Sequence, residues 1–517
     1  MADADTHLDA PPLKPPLANT SAPRDREPPE ADLAKLRKWQ EDRIARKLRG
    51  EYESAVLHLA EMVNNNLSTP LRLASIRVEG AARTRQSFLS ALVTPFLPLP
   101  VSPSFSASSV DTQSTLEDVL HKARHVGSLL QETDIFQTVE ARLEGSRDFL
   151  ARPGDVDLVF RTRERGRFYL NTSTQVGNNE GGASATCRMR NAFGGAELFQ
   201  ANLSFATTTR VAFSASLSAP LLPYLPYASS VSPNPDLNTR GEISVFGHER
   251  DNTSFASSFE GVRGLRAAVR TGTLRKGTHE FAYEGVLRHI GNLAPTASIS
   301  IREAAGPSMK SALSHTYMRD TRDDALLGTR GSYVKVSHEL AGLGGDASFY
   351  KTEGATQLAR RLVPGVTLSV AARSGFLWGL DGRKVPLSDR FQLGGPMSVR
   401  MFRANGLGPQ DGPDSLGGDL YWAAGLSVIS DIPKKPQWPV KLHGFVNLGR
   451  LDSIDKAQSL IDNVRESISK PSVGAGVGLV YKLDAVRVEV NFGVPLVASK
   501  SDGVRKGIQV GIGLDFL

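Results

Sequence analysis

From Arg167 to the carboxy terminus the chain repeats one pattern: segments of about ten residues in which apolar side chains alternate with polar or small ones, separated by clusters of Gly, Pro, Asn and Asp. About sixteen such segments begin near Arg167, Ala183, Ala196, Thr209, Arg240, Val262, His279, Ser308, Gly331, Asp346, Val366, Asp419, Val440, Ser472, Ala485 and Gly507. In the last, Ile508, Val510, Ile512, Leu514 and Phe516 share one face, opposite Gln509, Gly511, Gly513 and Asp515. Val486, Val488, Val490 and Phe492 likewise oppose Arg487, Glu489 and Asn491. Strands of soluble sandwiches usually stop after about five or six residues, whereas about nine to eleven are needed for a tilted strand to cross hydrocarbon. At the bilayer midplane Arg487 or Lys441 would cost about 2–4 kcal/mol, so the apolar face points to lipid and the polar face to a wet lumen. A bilayer offers no water to unpaired backbone groups, so such a sheet must close. The expectation is a membrane all-β fold, an antiparallel transmembrane barrel of about 16 strands over residues 166–517.

The remaining sequence supports this architecture and excludes others. No run of about 18 apolar residues occurs, and the longest apolar stretch, Phe88 to Val101, is broken by Pro95, Pro98 and Pro100, which argues against a helical span. One cysteine, Cys187, excludes a disulfide framework. The net charge of +7 is too diffuse for a nucleic-acid partner. Residues 1–30, rich in Pro, Ala and Asp, read as a disordered tail with no secretory or mitochondrial leader. Residues 31–65 read as a helical linker, basic between Lys35 and Arg49. Residues 71–162 read as a small α/β domain: a strand at Leu71–Val78, helices at Thr84–Val93 and Thr115–Leu130, and strands at Phe136–Leu143 and Val156–Arg161. Nucleophile elbows, zinc-binding spacings and Walker patterns are missing, so the expected function is non-enzymatic, with no metal and no cofactor.

Three stretches carry a family resemblance. Phe391 to Asp419 reads FQLGGPMSVRMFRANGLGPQDGPDSLGGD, Ser311 to Asp324 reads SALSHTYMRDTRDD, and the end reads QVGIGLDF. Together with a single small α/β domain before the barrel, they resemble the BamA-type superfamily, and within it the fungal-like barrel subunits of the mitochondrial sorting and assembly machinery. The resemblance implies that residues 71–162 are a POTRA-like domain and that the long connection before Asp419 is an inward loop. Its motif residues would be Val399, Arg400, Phe402, Gly406, Gly408, Asp411 and Asp414. In the family the loop's core is Arg-Gly-Phe; here Met401 stands where Gly is usual, which bears on any turn that needs a positive φ. The family's arginine meets an acid in a Phe-x-Asp-x-Gly pattern on the wall; the matching Phe445, Asn447 and Gly449 offer an amide. Asp411, Asp414 and Asp419 are the candidate replacements within the loop.

The resemblance further implies an insertase that folds β-barrel precursors into the mitochondrial outer membrane, with the small domain in the intermembrane space. Its partners would be β-barrel precursor proteins, other subunits of the sorting and assembly complex and membrane lipid. The gate would open between the first strand, with Leu170, Thr172, Thr174 and Gln175, and the last, whose sorting signal is Gln509, Gly511, Leu514 and Phe516. A passive outer-membrane channel is the alternative; it explains the alternation but neither the α/β domain nor the loop.

Overall fold

The computed structural model describes residues 30–48, 61–97, 114–149, 151–177, 180–221, 237–435, 437–483, 486–513 and 517. The tail expected over 1–30 lies outside the described residues save for Glu30, as do 49–60 of the helical linker and Leu514 and Phe516 of the terminal signal. Glu30–Leu48 is a single helix. The chain divides into two compact units, a smaller one drawn from residues up to Thr162 and a larger one that takes in Arg163–Leu517.

The small sheet runs in the order Ser114–Thr115, Pro70–Glu79, Asp155–Glu164, Phe136–Gly145. Its two central strands are parallel, a pairing that needs a long crossover, and the helix Leu116–Glu132 lies in that connection. Thr115 and Asp118 begin the helix as a reciprocal box: Asp118 N–H donates to Thr115 Oγ1 and Asp118 Oδ2 accepts from Thr115 N–H at 3.0 Å. Leu73, Val119, Leu158 and Phe160 are fully buried.

The large unit is a sixteen-stranded antiparallel sheet in which every strand pairs with its neighbour in sequence. We number its strands β1 (Phe168–Gly177), β2 (Glu180–Arg190), β3 (Leu198–Ala206), β4 (Thr209–Pro220), β5 (Arg240–Asp251), β6 (Phe259–Thr273), β7 (Gly277–Gly291) and β8 (Gly306–Asp320). The second half comprises β9 (Gly331–Gly345), β10 (Phe349–Val363), β11 (Val366–Gly379), β12 (Leu420–Asp431), β13 (Val440–Asp452), β14 (Ser472–Leu483), β15 (Val486–Val497) and β16 (Gly507–Gly513). The alternation is realised as a wall with an apolar outside: Phe492 and Ile508 are 61% and 63% exposed, whereas Glu489, Asn491 and Gln509 are buried inside. Among the described residues no helix is long and apolar enough to cross a membrane.

Strands β6 to β10 run fifteen residues each, longer than the ten that periodicity suggests. At about 3.4 Å per residue they outreach the hydrocarbon layer even when tilted. At the entry end of β6 and β7 the ladder carries an ion pair, where Arg270 Nη2 meets Glu280 at 2.6 Å. Because the strands alternate in direction, connections after even-numbered strands sit at the end where the chain enters β1, and those after odd-numbered strands at the opposite end. The end strands β1 and β16 lie alongside each other, but among the described residues no hydrogen-bonded ladder joins them.

Candidate functional site

The forty residues between Gly379 and Leu420 leave the far end of β11 and turn back into the lumen. Burial drives the turn. Phe391, Leu393, Val399, Phe402 and Leu407 of this loop pack with inward residues of β8 to β13, among them Ala312, Phe349, Leu377, Tyr421 and Leu451, and with Leu517. At about 1.5–3 kcal/mol per large apolar side chain, five of them make a lumen-filling loop more favourable than a solvated one. The wall is cut to receive it: a Cβ at Gly449 would lie 2.7 Å from Val399 Cγ2, and one at Gly474 only 2.4 Å from the Arg400 carbonyl oxygen.

Arg400 is the centre of the arrangement and is wholly buried. Its Nε and Nη2 donate to Glu489 Oε2 and Oε1 at 2.9 and 3.1 Å, a two-pronged pair with β15. Its Nη1 donates to Asn447 Oδ1 on β13 at 3.0 Å and to the Leu517 carbonyl oxygen at 2.8 Å. The Phe445 ring lies 5.2 Å from the guanidinium carbon. Glu489 also pairs with Arg487 and accepts from Asn491 Nδ2 at 2.8 Å. Burying these charges is tolerable only because each prong has a partner.

The charge partner of Arg400 is therefore Glu489, not an acid of the loop. Asp411 accepts from the Ser300 amide and hydroxyl at 3.2 and 2.7 Å, and Asp414 accepts from the Ser298 amide at 2.8 Å, both in the β7–β8 connection. Asp419 stands 3.7 Å from Arg390. Loop acids that are near Arg400 in sequence thus fasten a different part of the loop. Glu489 had a legible signal, as the middle of three consecutive inward polar residues, Arg487, Glu489 and Asn491. Its distance across the lumen had none.

Met401 adopts φ 70°, the left-handed region that glycine favours. The strained turn is locked to β16: Gln509 Oε1 accepts from Met401 N–H at 3.0 Å and its Nε2 donates to the Phe402 carbonyl at 2.9 Å. Gly406 accepts from Gly503 N–H at 2.7 Å in the β15–β16 connection, and Gly408, at φ 95°, packs on Leu451. Gly511 stands opposite Glu489 in the β15–β16 ladder. On β1, Leu170, Thr172 and Thr174 share the exposed outer face while Ser173 points inward to Ser184 at 2.9 Å; Gln175 occupies the same strand, opposite Gly182.

Two further anchors were not foreseen. Asp389, early in the loop, takes a two-pronged contact from Arg288 of β7 at 2.7 and 2.8 Å, and its carbonyl accepts from Lys351 of β10 at 2.9 Å. The loop thus spans the lumen from the β7–β10 wall to β13–β16. At the entry end, residues 321–330, which begin with the last four residues of the Ser311–Asp324 stretch, reach across to β14 and β15. Asp324 pairs with Lys482, and Arg487 Nη1 donates to the Leu326 carbonyl at 3.3 Å. Asp323 shapes that strap. Burial would raise its carboxyl, but the Thr329 hydroxyl and the amides of Arg330, Thr329 and Asp324 outweigh it and hold the pKa at about 2. Among the described residues no cluster of His, Cys, Asp and Glu is arranged to hold a metal.

Residues 191–516 match the Omp85 superfamily domain. The chain is 34% identical over 471 residues to a SAM50-like protein of Schizosaccharomyces pombe, which covers 90% of this chain and 95% of that one. It is 31% identical over 409 residues to the human sorting and assembly machinery component 50 homolog, covering 78% and 84%. In fold it is similar to BamA from Haemophilus ducreyi lacking POTRA domains 1–3, with a TM-score of 0.68 at 16% identity over 86% of this chain and 84% of that one.

Proposed function

Because this chain belongs to the Omp85 superfamily, and within it to the family of sorting and assembly machinery component 50, we propose that it works by opening the seam between β1 and β16. It is a β-barrel insertase of the mitochondrial outer membrane: its substrates are unfolded barrel precursors, and it assembles them without a covalent step. The observation that carries the seam reading is the pair of end strands, β1 and β16, which lie side by side with no ladder among the described residues. An incoming strand in hydrocarbon has unpaired N–H and C=O groups, each expensive to leave bare. A parted seam presents two edges that pair with those groups, so the precursor exchanges lipid for a ladder at every step.

The lumen loop gives the seam a fixed side. Gln509, Glu489 and the Leu517 carbonyl tie the loop to β15, β16 and the terminus, while Asp389 ties it to the opposite wall. β15 and β16 therefore stay with the loop, and β1, which carries none of these loop anchors, is the strand that moves. Precursor signals exchange with β16, further hairpins grow from the edge of β1, and the finished barrel buds sideways. The amino-terminal unit faces the intermembrane space and receives precursors there, and the other subunits of the machinery complete the complex.

The test is to tether the seam. In a Cys187→Ser background, Thr174→Cys and Val510→Cys are bridged by a bifunctional thiol reagent in isolated mitochondria and import of a barrel precursor is followed. Insertion should stop when the bridge closes and resume when a cleavable bridge is cut. Undiminished insertion through a bridged seam refutes the gate. The passive-channel reading predicts no effect of the bridge on precursor insertion.

A further inference from the structure

We propose that a recess on the outer wall of β4–β8 binds the head group of an anionic phospholipid, with Arg263 as its phosphate ligand. Strand parity places Arg263 on the lipid side. On β6 the even position Arg266 faces the lumen and pairs with Glu280, whereas Leu265 and Val269 face outward and are exposed. Arg263 shares their parity and is itself exposed, with Leu287 of β7 and Gly247 of β5 directly across from it. It lies four positions in from Phe259, the far-end start of β6. At about 3.4 Å per residue along a strand tilted by about 45° that is roughly 10 Å below the strand's end, the depth at which lipid phosphates meet the first acyl carbons.

The site is concave. A recess of about 730 Å³ is lined by Phe213, Gly247, Arg263, Leu287, His289 and Met309 among others. Its floor is low because Gly247 has no side chain: a Cβ there would lie 2.5 Å from the Phe213 ring. Phe213, Leu287 and Met309 supply acyl-compatible walls, and His289, also exposed, adds a second nitrogen base beside the cation.

Charge selects the occupant. At that depth on the lipid side a guanidinium has too little water around it to satisfy its five donors. Among the described residues no carboxylate is within ion-pair distance of Arg263. The acids of the recess are engaged elsewhere: Glu249 stands 3.7 Å from Arg210, and Asp346 accepts from the Met309 amide at 2.8 Å. The counter-ion must come from the membrane, and a phosphodiester whose head-group alcohol carries no ammonium is a net negative head group to meet it. This site lies on β4–β8, apart from the seam strands, so it stands independently of the gate.

The experiment is native mass spectrometry of the full-length protein released from mixed micelles containing equal phosphatidylglycerol and phosphatidylcholine. The wild type should retain phosphatidylglycerol in preference to phosphatidylcholine. Arg263→Gln should reduce that retention about tenfold, the loss of one charge-assisted bond, and Arg263→Lys should restore part of it. Lys276→Gln, which removes the same charge from the β6–β7 turn, should leave retention unchanged. Equal retention of the two lipids by the wild type, equal loss in Lys276→Gln, or undiminished retention in a folded, heat-modifiable Arg263→Gln would each overturn the site.

Discussion

Neutralising Glu489 should damage the barrel more than removing Arg400, although the two residues form one pair. Glu489 sits between two guanidinium groups, Arg400 and Arg487, and all three side chains are at most 6% exposed. Glu489→Gln keeps the shape but leaves two buried cations facing an amide, and breaking a buried pair in this way costs about 3–5 kcal/mol. Arg400→Met keeps the anion in contact with Arg487 and with Asn491 Nδ2, so its cost is the lost hydrogen bonds, about 1–3 kcal/mol, partly offset by apolar contact of the new side chain with the Phe445 ring. A large membrane barrel unfolds irreversibly, so the readout is kinetic: the temperature at which half the protein refolded in detergent loses its compact mobility on semi-native gels, at one heating rate. The expected order is wild type, then Arg400→Met, then Glu489→Gln, with the double variant less damaged than the two single costs combined. Equal loss in both single variants, or a milder effect of Glu489→Gln, would refute the assignment of Glu489 as the shared anion.

Other perturbations test the remaining parts of the site. Asn447→Asp should be neutral or stabilising by about 1 kcal/mol, because a carboxylate turns the contact from Arg400 Nη1 into a charge-assisted bond and removes the Asn447 Nδ2 donor, which has no partner among the described residues; a lower heat-modification midpoint would contradict that reading. Met401→Gly should destabilise despite matching the family's residue: relief of the left-handed strain gains about 1–2 kcal/mol, whereas a fully buried Met is worth about 2–5 kcal/mol, and an increased midpoint would reverse the ranking. For the strap, Asp323 has its carboxyl depressed from 3.8 to about 2, so its contribution is complete above about pH 4 and is lost as pH falls through about 2. Pepsin should therefore cut within 321–330 readily only near pH 2 in the wild type but already at pH 4 in Asp323→Asn; identical cleavage profiles would remove Asp323 from the strap.

The wall was readable from sequence because a period of two is a local property. Val486, Val488, Val490 and Phe492 announce one face wherever the strand ends up, and the starts of the sixteen strands follow from the same pattern. Strand ends were less legible: β6 to β10 continue beyond the hydrocarbon, where alternation between lipid and lumen no longer constrains the residues. The lumen loop was legible as a long glycine-rich connection with Arg400 and Phe402 at a family spacing. Its fastenings were not, since Arg400 and Glu489 are separated by 89 residues and Arg288 and Asp389 by 101. Sequence proximity favoured Asp411 and Asp414, but folding turns that end of the loop to Ser298 and Ser300. Likewise, nothing local in TRDD signals that Asp324 reaches Lys482 on the far wall.

The most direct test of the account is to stall a barrel precursor on the native complex and map its contacts by photocrosslinking from three outward-facing positions, Thr174 on β1, Val510 on β16 and Leu287 on β7. Adducts at Thr174 and Val510, with none at Leu287, are the predicted result. Adducts spread evenly over all three, or concentrated at Leu287, would contradict insertion through the seam.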